Sequence, residues 1–384
     1  MHNLPRLLLK GFHRLFDLIH KKFFIFLILS YLLAALFPET GLKLRDITLF
    51  HWNLLGVREE ITFPIFQLFI LLFNGGFGVK IREFITQLSK PLPLILGVFF
   101  NLIVPCLFVS LYWFISSLWH NPKERYDLFV GLILIIAMPI AGSTIGWSQN
   151  SNANIPLSLG LVFFSTLLSP LLTPMIFQAA KVLGGTYKPE LFGHISHQIN
   201  SQFLILDIVI PSFLGMFARL ISGNVLYEKV IRIIKPLNEI NLLVLIYSNA
   251  ATALPFIIHK PDTDFFLLIG IVVFLLCLIR FHAGQWIGAL FHFGEPTKRS
   301  LIYALGMNNN GMGLVLSNAV VGNQPSIILP IILYNLFQQI LAAAFYSSWT
   351  KKDNLLGAST EGPAIIKGKQ LTQKFKNCSS VNPP

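Results

Sequence analysis

The chain has 384 residues, 54% of them hydrophobic and only 12% charged, whereas roughly 25% charged is usual for a soluble domain. Apolar runs of spanning length recur along it, which excludes an ordinary soluble protein and implies a polytopic membrane protein. The net charge of +12 would suggest nucleic acid in a soluble chain. Here cytoplasmic loops that collect Lys and Arg account for it, so the expected surroundings are a lipid bilayer and no nucleic acid.

Residues 1–22 form a basic, amphipathic arm in which Arg6, Lys10, Arg14, Lys21 and Lys22 alternate with Leu7, Leu8, Phe12, Leu15 and Phe16. Such an arm is expected on the anionic inner leaflet. The apolar run from Phe23 ends at Pro38-Glu39-Thr40 without a small-residue cleavage site, so it reads as a retained helix rather than a signal peptide. Ten spans follow, at about 23–38, 60–79, 91–116, 128–149, 155–180, 203–221, 237–258, 264–290, 299–321 and 326–349. With the N-terminus inside, the cations that fall outside are Lys43, Arg45, Arg58, Lys123, Arg125, Lys181, Lys188 and Lys260; the other Lys and Arg of the 29 fall inside. This bias predicts both termini in the cytoplasm; a bacterial-type inner membrane is the expected location, though the charge bias itself does not select the membrane. The tail, 350–384, is polar, basic and expected to be disordered. Cys106, Cys277 and Cys378 form no CxxC or Cys/His cluster, so spacing supports neither a disulfide framework nor a metal centre.

A coarse symmetry runs through the spans. Five (23–180) precede a long outer connection (181–202) and five (203–349) follow it, which inverts the second set relative to the first. The fourth of each set is irregular. In the first set it reads AMPIAGSTIGWSQN from Ala137 to Asn150; in the second it reads YALGMNNNGMGLVLS from Tyr303 to Ser317. Three consecutive asparagines in hydrocarbon would each cost about 2–7 kcal/mol if unpaired. Interrupted helices at that depth survive only in a protein interior or beside a wet cavity. Gly306, Gly311 and Gly313 are expected to let the chain unwind, and Pro139 removes a backbone donor in the matching span. Interrupted segments at corresponding positions of inverted halves point to a transporter's central site. The plainer alternative is a glycine-rich packing face whose amides bond neighbouring helices.

Pro139 to Thr144 together with Ser165 to Pro174 resembles the fourth and fifth helices of the bile acid:sodium symporter family, and LGMNNNGM resembles its ninth-helix motif, Glu-x-Gly-Met-Gln-Asn-Ser-Gly. Shorter similarities are Gly97 to Pro105 and His282-Ala-Gly-Gln. The resemblance covers roughly 60 to 349. It implies an all-α fold of ten transmembrane helices in two inverted five-helix repeats, divided into core and panel, with the broken fourth and ninth helices crossing near the midplane. It implies organic anions bound beside the crossover, on Gly142, Ser143, Asn309 and Gln338; Asn310 joins them as a candidate from its own position at the glycine-flanked break. The family's first sodium position maps to Thr144, Ile145, Ser158, Val162 and Ala304. Its second maps to Ala304, Leu305, Met307 and Asn308, with Asn101 matching a third-helix glutamine. Sodium needs hard oxygen ligands. Ile145, Val162 and Ala304 offer no side-chain oxygen, and the family's shared glutamate is replaced by Ala304, so sodium coupling is expected to be weak or lost.

Among the other polar residues, Asp207 in the sixth span is a candidate for proton coupling, or else solvated at the outer interface. Glu239 reads as an interfacial carboxylate at a helix start. Arg280 and His282 fall near the inner end of the eighth span, where Arg280 is expected to snorkel. Asn249 and Thr252 face either the cleft or a neighbouring helix. The leading function is therefore a secondary transporter moving a small organic anion by alternating access, with no cofactor beyond a possible sodium ion or proton. Runners-up are a carrier of the same wider fold with another substrate, metalloid or auxin-type, and a non-transporting membrane receptor. An enzyme is disfavoured because no nucleophile–His–acid set, paired carboxylates or metal-ligand spacing lies near the breaks.

Overall fold

A computed structural model of the chain describes residues 22–54, 57–79, 91–184, 205–259, 262–321 and 324–360. Most of the basic arm, most of the outer connection and the tail beyond 360 lie outside the described residues. The protein is a mainly helical polytopic membrane protein. Among the described residues five helices are long and apolar enough to cross a membrane, or six if a sharply bent pair counts as one. The other predicted spans do not meet that length: some are divided by breaks, and Phe63–Phe77 stops at 15 residues.

In chain order the elements are α1 (Phe23–Leu36), α2 (Pro38–Arg45), β1 (Thr48–Leu54), β2 (Val57–Thr62), α3 (Phe63–Phe77), α4 (Leu92–Ile115), α5 (Pro122–Ile136), α6 (Ser143–Asn150) and α7 (Ile155–Gly184). A π-helical turn, Ile205–Val209, leads into α8 (Ile210–Ala250), followed by α9 (Leu254–His259), α10 (Thr263–Leu290), α11 (Glu295–Gly306), α12 (Asn310–Val321) and α13 (Pro325–Thr360). Helix α13 continues past the expected start of the disordered tail.

Two features were not expected from the sequence. Pro38 turns α2 by 96° from α1, as a proline at N1 permits while the residue before it leaves helical geometry. The segment after it is an antiparallel hairpin, β1 on β2, so the predicted second span loses its first residues to a strand. Thr48 to Leu54 and Val57 to Thr62 carry the β-branched and aromatic residues that favour strands.

Helix α8 covers two predicted spans. It is kinked at Gly223, which has φ 62° and ψ 175°, a conformation essentially confined to glycine. α8 packs along α3 and against α1. The α3 contact is backbone to backbone: a Cβ on Gly76 would lie 1.9 Å from the Ser212 carbonyl oxygen, and one on Gly215 2.0 Å from that of Phe73. Asn74 donates to Asn238 (2.9 Å) and Asn241 to the Gln67 carbonyl (2.8 Å), which ties the same helices together.

The remaining helices form a second group. α10 lies along α11, α13 packs against α5, α10 and α12, and α4 and α7 cover one side. The residues of α5 are buried almost throughout, from Tyr126 to Ile136. Large apolar side chains such as Leu107, Phe114, Leu171 and Ile271 are exposed on the outer faces of this group. An apolar outside around a packed inside is the pattern of helices facing lipid.

Candidate functional site

The two irregular spans meet. α5 ends at Ile136 and α6 begins at Ser143; α11 ends at Gly306 and α12 begins at Asn310. Between them Ile140 and Asn308 form an isolated antiparallel bridge. Asn309 N donates to the Pro139 carbonyl (2.9 Å) and Ala141 N to that of Met307 (3.0 Å). Each break thus supplies partners for backbone groups that the other leaves exposed, which buried peptide groups require.

The other freed groups are also served. Thr173 on α7 donates to the Ala137 carbonyl (2.7 Å), and Ile140 N donates to Ser165 Oγ (3.0 Å). The Gly306 carbonyl accepts from Tyr334 Oη (3.0 Å). Gln338 closes around Asn308: its Oε1 accepts from Asn308 N (3.0 Å) and its Nε2 donates to the Asn308 carbonyl (3.3 Å). Nε2 also donates to Asn335 Oδ1 (3.1 Å). Gln338, expected to contact substrate, is here buried with its amide bonded to the break.

The glycines act differently from expectation. Unwinding is confined to Met307–Asn309, none of which has a positive φ, and Gly311 and Gly313 lie inside α12. Gly306 is a packing residue: a Cβ there would stand 2.3 Å from the Phe281 ring.

Arg280 corrects the sequence reading most sharply. It sits ten residues before the end of α10, roughly 15 Å along the axis and too deep to snorkel. It is 1% exposed. Its Nε donates to the Leu305 carbonyl (2.7 Å), and its Nη2 to Asn101 Oδ1 (2.7 Å) and Asn308 Oδ1 (2.7 Å). Asn308 Nδ2 in turn donates to the Ile135 carbonyl (2.7 Å), which fixes the amide with its oxygen toward the guanidinium. Among the described residues Arg280 forms no ion pair, and its buried Nη1 makes no hydrogen bond. Leu305 and Ile135 lie in the last turns of α11 and α5, where helix dipoles present partial negative charge.

The other predicted contacts lie at the starts of α6 and α12. Gly142 and Ser143 are exposed, and a Cβ on Gly142 would meet nothing within 4 Å. Asn309 is half-buried; its Oδ1 accepts from Met312 N (3.2 Å) and caps α12. Asn310 is 2% exposed, yet neither its Oδ1 nor its Nδ2 has a partner among the described residues. Thr144 Oγ1 is likewise buried without one. Each such atom costs about 1–3 kcal/mol, so each calls for an explanation, a bound ligand, ion or water among them.

The remaining predicted residues fall as follows. Ser158 shares a hydrogen bond with Ser148 (2.7 Å between hydroxyls). The Met307 carbonyl is taken by Ala141, and the Val162 carbonyl by Ser165 and Thr166. Asp207 is 4% exposed and lies in the π-helical turn before α8. Asn249 and Thr252 bond a neighbouring helix: Asn318 Nδ2 donates to Asn249 Oδ1 (2.9 Å) and Thr252 donates to Asn318 Oδ1 (2.9 Å), joining α8 to α12.

Far from the crossover in sequence, the fold also brings together His120, Glu124 and Asp264, a group no spacing rule shows. Glu124 is bonded by Trp119 (2.8 Å) and by Asn121. His120 pairs with Asp264 (3.3 Å), both more than half exposed, a pairing of little energetic weight. Asp262 beside them caps α10, and its hydrogen bond with Asp264 holds its carboxyl above the ordinary range.

The comparison with family models places residues 65–260 in the sodium bile acid symporter family. The match covers about half of the chain, including α3 to α8 and the first break. The chain belongs to the sodium bile acid symporter family. Two relatives come from Bacillus subtilis (strain 168). Uncharacterized protein YbaS is 28% identical over 276 residues, covering 72% of this chain and 84% of that protein. A protein named uncharacterized sodium-dependent transporter YocS is 22% identical over 315 residues, 81% of this chain and 86% of its own length. Membership in that family makes this chain a membrane transport protein. The second break and Arg280 lie beyond the matched residues, so their reading rests on the structure.

Proposed function

We propose that the chain is a secondary active transporter of a small organic anion, working by alternating access, with sodium coupling weak or lost. In this reading its spans form two inverted repeats, the α1, α3 and α8 group is the panel, and the α4–α7 and α10–α13 group is the core. The observation that carries it is the Asn310 amide, buried without partners among the described residues at the start of α12, next to Asn309, whose N–H bonds the first break at the Pro139 carbonyl. The N-terminal ends of α6 and α12 carry positive partial charge, which suits a carboxylate without an arginine in contact with it. Gly142 and Ser143 offer backbone access on the open side, while Asn309 and Asn310 supply donors and acceptors. A movement of the core against the panel would expose Asn310 to one side of the membrane and then the other.

The coupling argument is chemical. Ile145, Val162 and Ala304 bring no side-chain oxygen, and the carbonyl oxygens of Val162, Leu305 and Met307 already accept protein hydrogen bonds. A proton through Asp207, uniport or exchange are the routes left. The test is uptake of organic anions into proteoliposomes with an imposed sodium gradient against an equal potassium gradient. Equal uptake in the two supports the reading; strong sodium-specific stimulation overturns the coupling half of it, and no uptake of any anion favours a receptor.

A further inference from the structure

We propose that the guanidinium of Arg280 is a resident, covalently tethered cation. It fills a cation cage at the crossover, which therefore assembles without any diffusible monovalent ion. The inference deepens the sodium-independent reading above and rests on its choice of the crossover as the working site, though not on any substrate.

The cage is defined by its acceptors. Three oxygens from three separate segments converge on one charged group at 2.7 Å each: Asn101 Oδ1 from α4, the Leu305 carbonyl from the end of α11, and Asn308 Oδ1 from the break. All are neutral, hard oxygen donors, the set that a small monovalent cation takes up. Two of them belong to residues at or next to the helix break, where carbonyls lack intrahelical partners. The Asn308 amide is turned with its oxygen inward by its own bond to the Ile135 carbonyl (2.7 Å). A side chain placed only to fill space would not need amides oriented to it from both sides.

The electrostatics agree. The last turns of α5 and α11 come together at this point, and their dipoles favour a positive charge between them. Among the described residues no carboxylate shares the site, so the only formal charge there is the arginine's own. A buried charge without a counter-ion is ordinarily expensive. Here oriented oxygens and helix ends replace it, as they would for a bound ion. A diffusible cation arriving at the same oxygens would meet a fixed positive charge at contact distance, and the two cannot share the cage.

The test separates charge from packing with purified protein and no substrate. Wild type, Arg280→Lys, Arg280→Met and Arg280→Ala are melted in matched sodium and potassium salts, then with methylguanidinium at millimolar concentration and with urea as control. Wild type is expected to melt at the same temperature in both salts. Arg280→Lys should keep most of the stability that Arg280→Met loses, although Met preserves the apolar stem. Arg280→Ala should melt several degrees lower and regain a large part of the loss with methylguanidinium but not urea, since a ligand bound only by the folded state raises the melting temperature. The idea is overturned if wild type is stabilised by sodium over potassium, if Arg280→Met melts like wild type, or if methylguanidinium leaves Arg280→Ala unchanged. Should the Ala variant not be obtained folded, the wild-type titration and the Lys–Met pair decide on the same criteria. The readout is stability, so failure of transport assays would leave its outcome intact.

Discussion

The first break, Met138 to Gly142, contains no side chain capable of a strong hydrogen bond, while the second, Met307 to Asn309, contains two asparagines. The first borrows its partners from Thr173 and Ser165 on α7 and from the backbone of the second. The second recruits Arg280, Gln338 and Tyr334 around itself. Their exposure differs in the same sense: Gly142 is open, Asn308 fully buried. One break thus offers access and the other anchorage. Unwinding alone does not make a site; what surrounds the freed peptide groups decides whether they are held or available.

Substitutions can break this contrast, and the largest effect is expected at the anchor. Asn308→Ala removes an acceptor from the Arg280 charge and a donor from the Ile135 carbonyl. Loss of a hydrogen bond to a buried charge costs about 1.5–3 kcal/mol, and the Ile135 carbonyl loses its donor as well, so chemical denaturation should show the largest loss of the series. Gln338→Leu keeps the volume but leaves Asn308 N and its carbonyl short of partners; a loss of about 1–3 kcal/mol is expected, and a neutral result would show that other groups take them over. Asn309→Ala removes the cap on Met312 N, for about 0.5–2 kcal/mol. It should abolish ligand-induced stabilisation without preventing expression.

On the open side the stability effects shrink. Gly142→Ala adds a Cβ that meets nothing, so the melting temperature should stay within the small range of neutral surface changes, about 0.5 kcal/mol. Anion uptake should nevertheless fall, because the methyl group stands where the substrate is proposed to approach. Unchanged uptake would move the access route elsewhere.

Much of this contrast was legible in the sequence. Pro139 and the asparagine run announced both breaks, and the inverted spacing predicted that they correspond. That the two breaks cross is what the family resemblance implied, and the antiparallel bridge between Ile140 and Asn308 is a contact of that kind. Arg280 was misread because proximity to a helix end was judged along the sequence, when the relevant quantity was depth along the axis. Measured as rise per residue, its position already lay too deep for snorkelling. Gln338 was recognised as polar and central, but no pattern shows whether an amide faces a ligand or a peptide group. The hairpin Thr48–Thr62 was missed because spanning-length hydrophobicity was the guide, although alternation in His51-Trp52-Asn53-Leu54 and the Gly56 that follows carried a strand-and-turn signal. The glycines were assigned to unwinding when Gly306 serves close approach to Phe281, a distinction that needs the neighbour.

The central claim is that the crossover binds an organic anion through Asn310, whose amide has no partner among the described residues. Its most direct test is a thermal-shift screen of purified wild type and Asn310→Ala against organic anions, each in sodium and in potassium salts. Removing a buried amide that bonds nothing should leave the ligand-free melting temperature unchanged or slightly higher. The account predicts that at least one anion stabilises wild type equally in both salts, and that Asn310→Ala loses this shift. An anion that stabilises the variant as strongly as wild type, or a ligand-free variant that melts well below wild type, would contradict it.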